Sequence, residues 1–330
     1  MKIKRIQLSN FRGIESLDLD FTGPDGQPLD TIVLAGPNGC GKTSVLEGCL
    51  VGCGSAGLIG QKAESTSDVR LGADRFILGL KLQFADTDVD TTVTSQSLPT
   101  HQLIVEEQVR QGREWTRIEY FSSWREPKLV GSVPVTAGNS GGRPEPSQQN
   151  RLWLVKQHLV NLTARRAMGS PEQRRQVDPG PDPLVRMNEG WRLFYPDRTQ
   201  RFAVRPAGTD IDEGFDLFLE DSGSDLSLAV DALSSGELEV LTMLGWFATR
   251  DLSDGIVLID EPELHLHPAW RRTVLRALRA VLPQTQILCA THSPEVLESV
   301  YSYQQFTLLP FQDPRIRLVT EPDRVEALAA

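Results

Sequence analysis

The sequence predicts an α/β fold, a parallel sheet with helices on its faces, accompanied by antiparallel strands. Three observations carry this expectation. A short apolar, β-branched run, Thr31–Ala35, leads into the glycine-rich stretch Gly36-Pro37-Asn38-Gly39-Cys40-Gly41-Lys42-Thr43, and a helical pattern starts at Ser44. From Asp231 onward, apolar strands alternate tightly with helical segments, the pattern of parallel strands joined by crossover helices. At the start of the chain Ile6 and Leu8, then Leu17, Leu19 and Phe21, alternate with polar residues, which is the period of half-buried antiparallel strands.

Taken in order, Asn10-Phe11-Arg12-Gly13 joins the first two strands, and Gly23-Pro24-Asp25-Gly26 reads as a turn. The strand Thr31–Ala35, the glycine loop and its helix follow. Gly52 to Gly60 is a glycine-rich connection. Phe76 to Phe84 alternates again and is read as a strand. Leu103–Val109 and Glu114–Phe121 suit a hairpin across Gln111-Gly112. Val133 to Ser147, rich in Pro, Gly and Ser, is read as a loop or a disordered insert. Leu152 to Ala167 carries apolar residues at 152, 155, 159 and 162, an amphipathic helix that the prolines of 171–183 end. Phe215–Leu219 returns to strand. Then come a helix over Gly236–Thr249, a strand over Ile256–Ile259, a helix over Pro268–Leu282, a strand over Ile287–Ala290 and a helix over Pro294–Val300. Phe306–Leu309 and Ile316–Val319 are expected as terminal strands. This order divides the chain into an N-terminal lobe (1–100), an inserted region (101–209) and a C-terminal lobe (210–330).

The bulk numbers exclude several classes. Hydrophobic residues at 39% and charged residues at 24% are ordinary for a globular protein. Four cysteines (Cys40, Cys49, Cys53, Cys289) are too few for a disulfide scaffold and are expected as reduced thiols. Lys2, Lys4 and Arg5 precede an alternating segment instead of an apolar signal core, and Val45 to Gly60 is broken by glycines, so no membrane association and a cytoplasmic location are expected. The net charge of −10 argues against general coating of DNA. Residues 143–205 nevertheless hold 12 Lys and Arg against 6 Asp and Glu, which marks either a face for DNA, RNA or another acidic partner or a solvated surface.

The glycine stretch fits G-x-x-x-x-G-K-[ST] at every fixed position, in the strand–loop–helix setting the motif needs. Backbone N–H groups from Asn38 to Ser44 would face a phosphate at a helix N-terminus. Lys42 would reach the β- and γ-phosphates, and the Thr43 hydroxyl would hold Mg²⁺. Two other apolar runs also end in polar groups. Ile256–Ile259 leads into Asp260-Glu261, and Ile287–Ala290 into Thr291-His292-Ser293. Ligands of open α/β sheets bind beyond the carboxyl ends of the strands. If the three strands are neighbours, Asp260 serves Mg²⁺, Glu261 acts as general base on water, and His292 meets the γ-phosphate. Leu233-Ser234-Ser235-Gly236-Glu237 has the S-x-x-E spacing of a capping box, and a capped helix N-terminus also offers N–H groups to an anion.

Together the loop, Leu233–Glu237, the segment Ile259-Asp260-Glu261-Pro262-Glu263-Leu264-His265-Leu266-His267-Pro268 and Thr291–Pro294 resemble an ABC-type ATPase head. The opening Leu8-Ser9-Asn10-Phe11-Arg12-Gly13 narrows the resemblance to the branch with RecF, SMC-type heads and OLD-like ATPases. It covers roughly 1–90 and 210–310. It implies a P-loop NTPase with a mixed sheet, an antiparallel β subdomain and an inserted helical region. It implies ATP and Mg²⁺, and a homodimer in which Lys42, Thr43, Asp260, Glu261 and His292 of one copy face Ser234 and Gly236 of the other. Arg12 matches a position that contacts the nucleotide, and His267 one that communicates across the dimer. The lobe-switch glutamine has no clear match; Gln61 and Gln83 are the candidates. The middle is too broken by Pro and Gly for the SMC coiled coil, and about 38 residues after His292 are too few for an OLD-type nuclease domain. The chain therefore resembles stand-alone AAA-family ATPases of anti-phage systems such as Septu and of DNA-repair assemblies, in which a separate nuclease or effector subunit acts, and the resemblance implies an ATP-hydrolysing switch for that subunit. A transporter subunit and an ATP-binding scaffold are the alternatives.

Overall fold

The three central strands of a five-stranded parallel sheet, Thr31–Ala35, Gln286–Thr291 and Ile256–Asp260, are buried at every residue, which is why their sequences run almost wholly apolar instead of alternating. The structure, a computed structural model, describes residues 1–59, 68–84, 87–97, 117–123, 129, 131–135, 150–168, 182–208, 214–221, 226–250 and 252–310. The chain divides into two compact units that interleave in sequence. Unit 1 takes 1–124, 252–262 and 284–330; unit 2 takes 125–251 and 263–283.

Unit 1 begins with the hairpin β1 (Lys2–Phe11) and β2 (Ile14–Asp20), paired with Leu8 opposite Leu17 and Ile6 opposite Leu19. β3 (Thr31–Ala35), β4 (Ile77–Phe84), β5 (Thr87–Thr94), β6 (Ile118–Phe121), β10 (Ile256–Asp260), β11 (Gln286–Thr291) and β12 (Gln305–Thr307) complete its strands. They make two sheets: an antiparallel one ordered β2-β1-β4-β5, and a parallel one ordered β12-β3-β11-β10-β6. The strands ending at Ala35, Thr291 and Asp260 are thus consecutive neighbours, as the site expectation requires. Helix α1 (Lys42–Gly52) packs against both sheets, which is why it is apolar all round and buries Val45, Leu46, Cys49, Leu50 and Val51. Gly52 lets it close on the antiparallel sheet: a Cβ there would lie 2.4 Å from Leu80 Cδ1. At the opposite end of the parallel strands the buried Gln286 side chain accepts from the Ile3 amide (2.7 Å) and donates to the carbonyls of Ile3 (2.9 Å) and Leu29 (2.8 Å).

Unit 2 contains helices α2 (Arg151–Met168), α3 (Pro183–Phe194), α4 (Ser235–Ala248), α5 (Pro268–Arg271) and α6 (Val274–Val281), with the antiparallel strands β7 (Gln200–Pro206), β8 (Phe215–Asp221) and β9 (Ser227–Ala229). α3 packs on α4 and α6. Gly190 allows the approach, since a Cβ there would meet Leu244 and Val281 at 3.0 Å.

Several elements differ from the sequence reading. The helix expected over Pro268–Leu282 is two, because Trp270 N bonds His267 O (2.8 Å) and Thr273 N bonds Trp270 O (2.9 Å); these tighter i to i−3 bonds interrupt the α ladder. The helix expected over Pro294–Val300 is the single turn α7 (Pro294–Leu297), and the strand near 306 is the short β12. α3, β5, β7 and β9 add to the elements read from the sequence. The hairpin partner at 103–109, most of the 133–147 loop, Gln61 and the strand at 316–319 lie outside the described residues. Among the described residues no helix is long and apolar enough to cross a membrane.

Candidate functional site

β3 delivers the chain to Gly36, and the loop turns into α1 through Gly41, whose left-handed φ of 99° is open to glycine at little strain. Gly36 has no room for a side chain: a Cβ would stand 2.3 Å from Leu308 O. Lys42 folds back over the loop and donates to the carbonyls of Gly36 (2.7 Å) and Pro37 (2.9 Å). Thr43, one residue on, donates its hydroxyl to Asp260 Oδ2 at 3.0 Å. Asp260 is the last residue of β10 and is buried.

Glu261 follows at a positive φ of 51°, with its amide bonded to Ala290 O of β11 at 2.8 Å. Such a conformation is costly for a side-chain-bearing residue and is kept where the surroundings fix it. Here it stands beside His292, Nδ1 to Oε1 at 3.5 Å. Ser293 holds the chain after β11: its amide donates to Thr291 Oγ1 (2.9 Å) and its hydroxyl caps α7. Strand neighbours therefore bring Lys42, Thr43, Asp260, Glu261 and His292 to one end of the parallel sheet.

A cavity of about 500 Å³ opens at this end. Asn38 to Ser44, Asp260 and Glu261 line one part of it; Ile14–Leu17 and Leu308–Pro310 line the other. The donor set fits a phosphate with a hard divalent cation: backbone N–H groups at a helix start, one lysine, and the oxygens of Thr43 and Asp260. A Cβ built on Gly39 meets nothing within 4 Å, so the loop backbone faces open space.

Sequence reasoning missed Ser123. It lies two residues beyond β6 and donates its hydroxyl to the same Asp260 Oδ2, at 3.2 Å. Only the pairing of β6 with β10, distant in sequence, reveals it. Arg12 takes a different place from the one expected of a nucleotide contact. Its guanidinium pairs with Glu47 and with Asp68 (2.8 Å), and it is absent from the cavity lining. Gln83 stands in β4, opposite Lys2 and Asp88.

In unit 2, Ser234 caps α4 in a reciprocal box. Glu237 N donates to Ser234 Oγ (3.4 Å), and Ser234 N and Oγ donate to Glu237 Oε2 (3.0 and 2.8 Å). Tyr195 donates its hydroxyl to the other carboxylate oxygen at 2.8 Å. Burial first, then the neighbouring carboxylate, push the Tyr195 phenol well above its usual value. Gly236 lies under His265 O and Trp270: a Cβ there would stand 3.0 Å from the carbonyl and 3.4 Å from the indole ring. His267 caps α5 through Nδ1.

Two family models match, one described as "AAA domain" over residues 5–119 and one as "AAA domain, putative AbiEii toxin, Type IV TA system" over 140–298. The crystal structure of an Smc head bound to the C-winged helix domain of ScpA superposes with a TM-score of 0.59 at 12% identity, covering 91% of this chain and 92% of that one. The OLD nuclease of Thermus scotoductus is 26% identical over 88% of this chain and 59% of its own length. AAA-domain models thus match two successive parts of the chain, and its fold is that of an SMC-type head. It is also similar to "Retron Vc95 probable ATPase" of Vibrio cholerae, 34% identical over 32% of this chain and 22% of that protein. The Septu protein PtuA of Bacillus thuringiensis is 41% identical over 14% of this chain and 12% of its own length. The chain spans less than two thirds of each of these curated relatives.

Proposed function

We propose that this AAA domain binds ATP with Mg²⁺ in the cavity of unit 1 and hydrolyses it where a second copy completes the site. The observation that carries the reading is the meeting of three strand ends on Asp260, whose Oδ2 accepts from both Thr43 and Ser123 beside the lysine-bearing loop. Hydroxyls can turn, so the donors that hold Asp260 can also offer lone pairs to a cation. A bound Mg²⁺ supplies charge neutralisation for the phosphates. Thr43 and Asp260 would hold it.

Lys42 leaves its two loop carbonyls to meet the β- and γ-phosphates, with the amides of Asn38 to Ser44 around them. Glu261 takes the proton of the attacking water, and His292 fixes the carboxylate from its Oε1 side and meets the γ-phosphate. Ser234 and Gly236 of the second copy, at the N-terminus of α4, face the nucleotide from across the interface, with His267 in the same arrangement; Arg12 would have to leave Glu47 and Asp68 to reach the nucleotide. In this reading the N- and C-terminal lobes share the site, and the 101–209 region contributes Ser123 to it. ATP closes the pair and hydrolysis opens it, switching a separate nuclease or other DNA- or RNA-processing subunit in the cytoplasm. The retron and Septu relatives point to anti-phage defence; the SMC-type fold also suits DNA repair.

The test is Glu261→Gln. Turnover should fall at least about a hundredfold, the scale of losing a general base, while ATP stays bound and ATP-dependent dimer accumulates on size exclusion. Hydrolysis at the parental rate removes Glu261 from this role.

A further inference from the structure

Unit 2 holds a fully buried lysine that the phosphate chemistry does not use. Lys156 lies on the apolar face of α2 beside Leu152, Val155, Leu159 and Val160, with 0% exposure. Lysine is almost never buried to this extent unless its charge is paired. The ammonium donates to Asp231 Oδ2 at 2.7 Å and to Gly131 O at 3.0 Å, and forms an ion pair with Asp216 Oδ1 at 2.8 Å. Asp231 Oδ2 also accepts from Gly131 N (2.8 Å), and Asp216 Oδ1 from Leu217 N (2.7 Å). One ammonium therefore ties together α2, β8, the segment at 131 and the turn that bears Asp231.

Burying the Lys156 and Asp216 charges, with Asp231 half-buried beside them, is a poor route to stability, because desolvation offsets most of the attraction. Fixing a geometry is a better account. Asp231 is the middle residue of a single 3-10 turn, Val230–Ala232, closed by Leu233 N to Val230 O at 3.1 Å. Ser234 follows two residues later and opens α4 with Ser235 and Gly236. A turn this short sets its own direction weakly, so an anchor at its centre decides where the next three residues point.

We propose that Lys156 is a positioning residue for the Ser234–Gly236 edge, holding the 230–232 turn so that this edge meets nucleotide on a second copy. This rests on the composite site proposed above. It assigns to the inserted helix a part in the reaction: Lys156 touches no substrate and acts through Asp231.

Two variants test it. Lys156→Met removes the charge and leaves the carboxylates of Asp216 and Asp231 without their shared cation. Lys156→Met/Asp216→Asn/Asp231→Asn removes all three charges and so the repulsion. Each is measured for affinity toward a fluorescent ATP analogue, for ATP-dependent self-association and for turnover as protein concentration rises. In the neutral triple variant, nucleotide affinity should stay within about threefold of the parent while turnover and self-association fall at least about tenfold. Lys156→Met should show the same split with a lower melting temperature. Turnover within about threefold of the parent in the folded triple variant overturns the role, and so does a parallel loss of affinity and turnover. A parent whose specific activity ignores protein concentration removes the composite site, and this role with it. A concentration-dependent parent beside an unaffected variant removes the role alone.

Discussion

Asp260 shows how one carboxylate oxygen can be prepared for a cation. Its Oδ2 accepts from Thr43 at the start of α1 and from Ser123 beyond β6, so two hydroxyls from distant parts of the chain fix its rotamer. Removing Ser123's hydroxyl takes away one of these two donors. A hydrogen bond to a charged group contributes about 1.5–3 kcal/mol, part of which Thr43 retains. Ser123→Ala should therefore raise the Mg²⁺ concentration for half-maximal ATP hydrolysis by about five- to tenfold, with nucleotide affinity in EDTA unchanged. Ser123→Thr should restore the parental value. A magnesium titration decides it: coincident curves for Ser123→Ala and parent make the contact a loop detail. Glu261 adds the second residue-scale feature, a left-handed backbone held by the Ala290 carbonyl. Glutamine can keep that backbone, so Glu261→Gln is a change of chemistry more than of shape.

At the scale of elements, the N-terminus of α4 combines a capping box with a tyrosine. Burial pushes the Glu237 carboxyl up, but donors from Tyr195, Ser234 Oγ and Ser234 N outweigh it and hold the group below its ordinary 4.5. A carboxylate depressed by folding contributes stability above its unfolded value, and that contribution is lost as pH falls through the folded value. Glu237→Gln should thus lose less stability than the parent between about pH 6 and about pH 3, read by urea denaturation at each pH. Equal acid slopes for the two proteins would refute the assignment. Ser234→Ala should cost about 1 kcal/mol at neutral pH through the lost cap. This box was legible in the sequence, as were β1 to β3, the phosphate loop and the neighbouring β10 and β11, because each is announced by a local period or motif. α3 was less so. Pro183 reads as a break, yet it occupies the first helical turn after the Asp182 cap, where a proline's missing N–H is harmless. β5 carries Thr and Asp at an exposed edge and lacks an apolar alternation. Ser123 and the Lys156 cluster depend on contacts distant in sequence, which no local pattern encodes.

For the molecule as a whole, the parallel and antiparallel sheets of unit 1 must stay in register for the site to form at the end of β3, β10 and β11. The α1 core does much of this through apolar contact, which is strong but not directional. Gln286 adds direction. Its amide closes three hydrogen bonds at 0% exposure, two to Ile3 of β1 and one to Leu29, which comes just before β3. Gln286→Leu has a similar volume but leaves the Ile3 N–H and the Ile3 and Leu29 carbonyls without this partner. Each buried backbone group so stranded costs about 1–3 kcal/mol, less whatever water or relaxation recovers. The variant should lose about 3 kcal/mol of unfolding free energy, seen as a lower urea midpoint at unchanged slope. Gln286 sits at the start of β11, five residues before Thr291, so the phosphate end need not shift. The folded variant should bind ATP within about threefold of the parent. A loss under about 1 kcal/mol would mean that apolar packing alone sets the register. Weaker nucleotide binding in the folded fraction would mean that the two ends of the sheet are mechanically coupled, and that the geometry around Asp260 depends on how β1 is tied to β11.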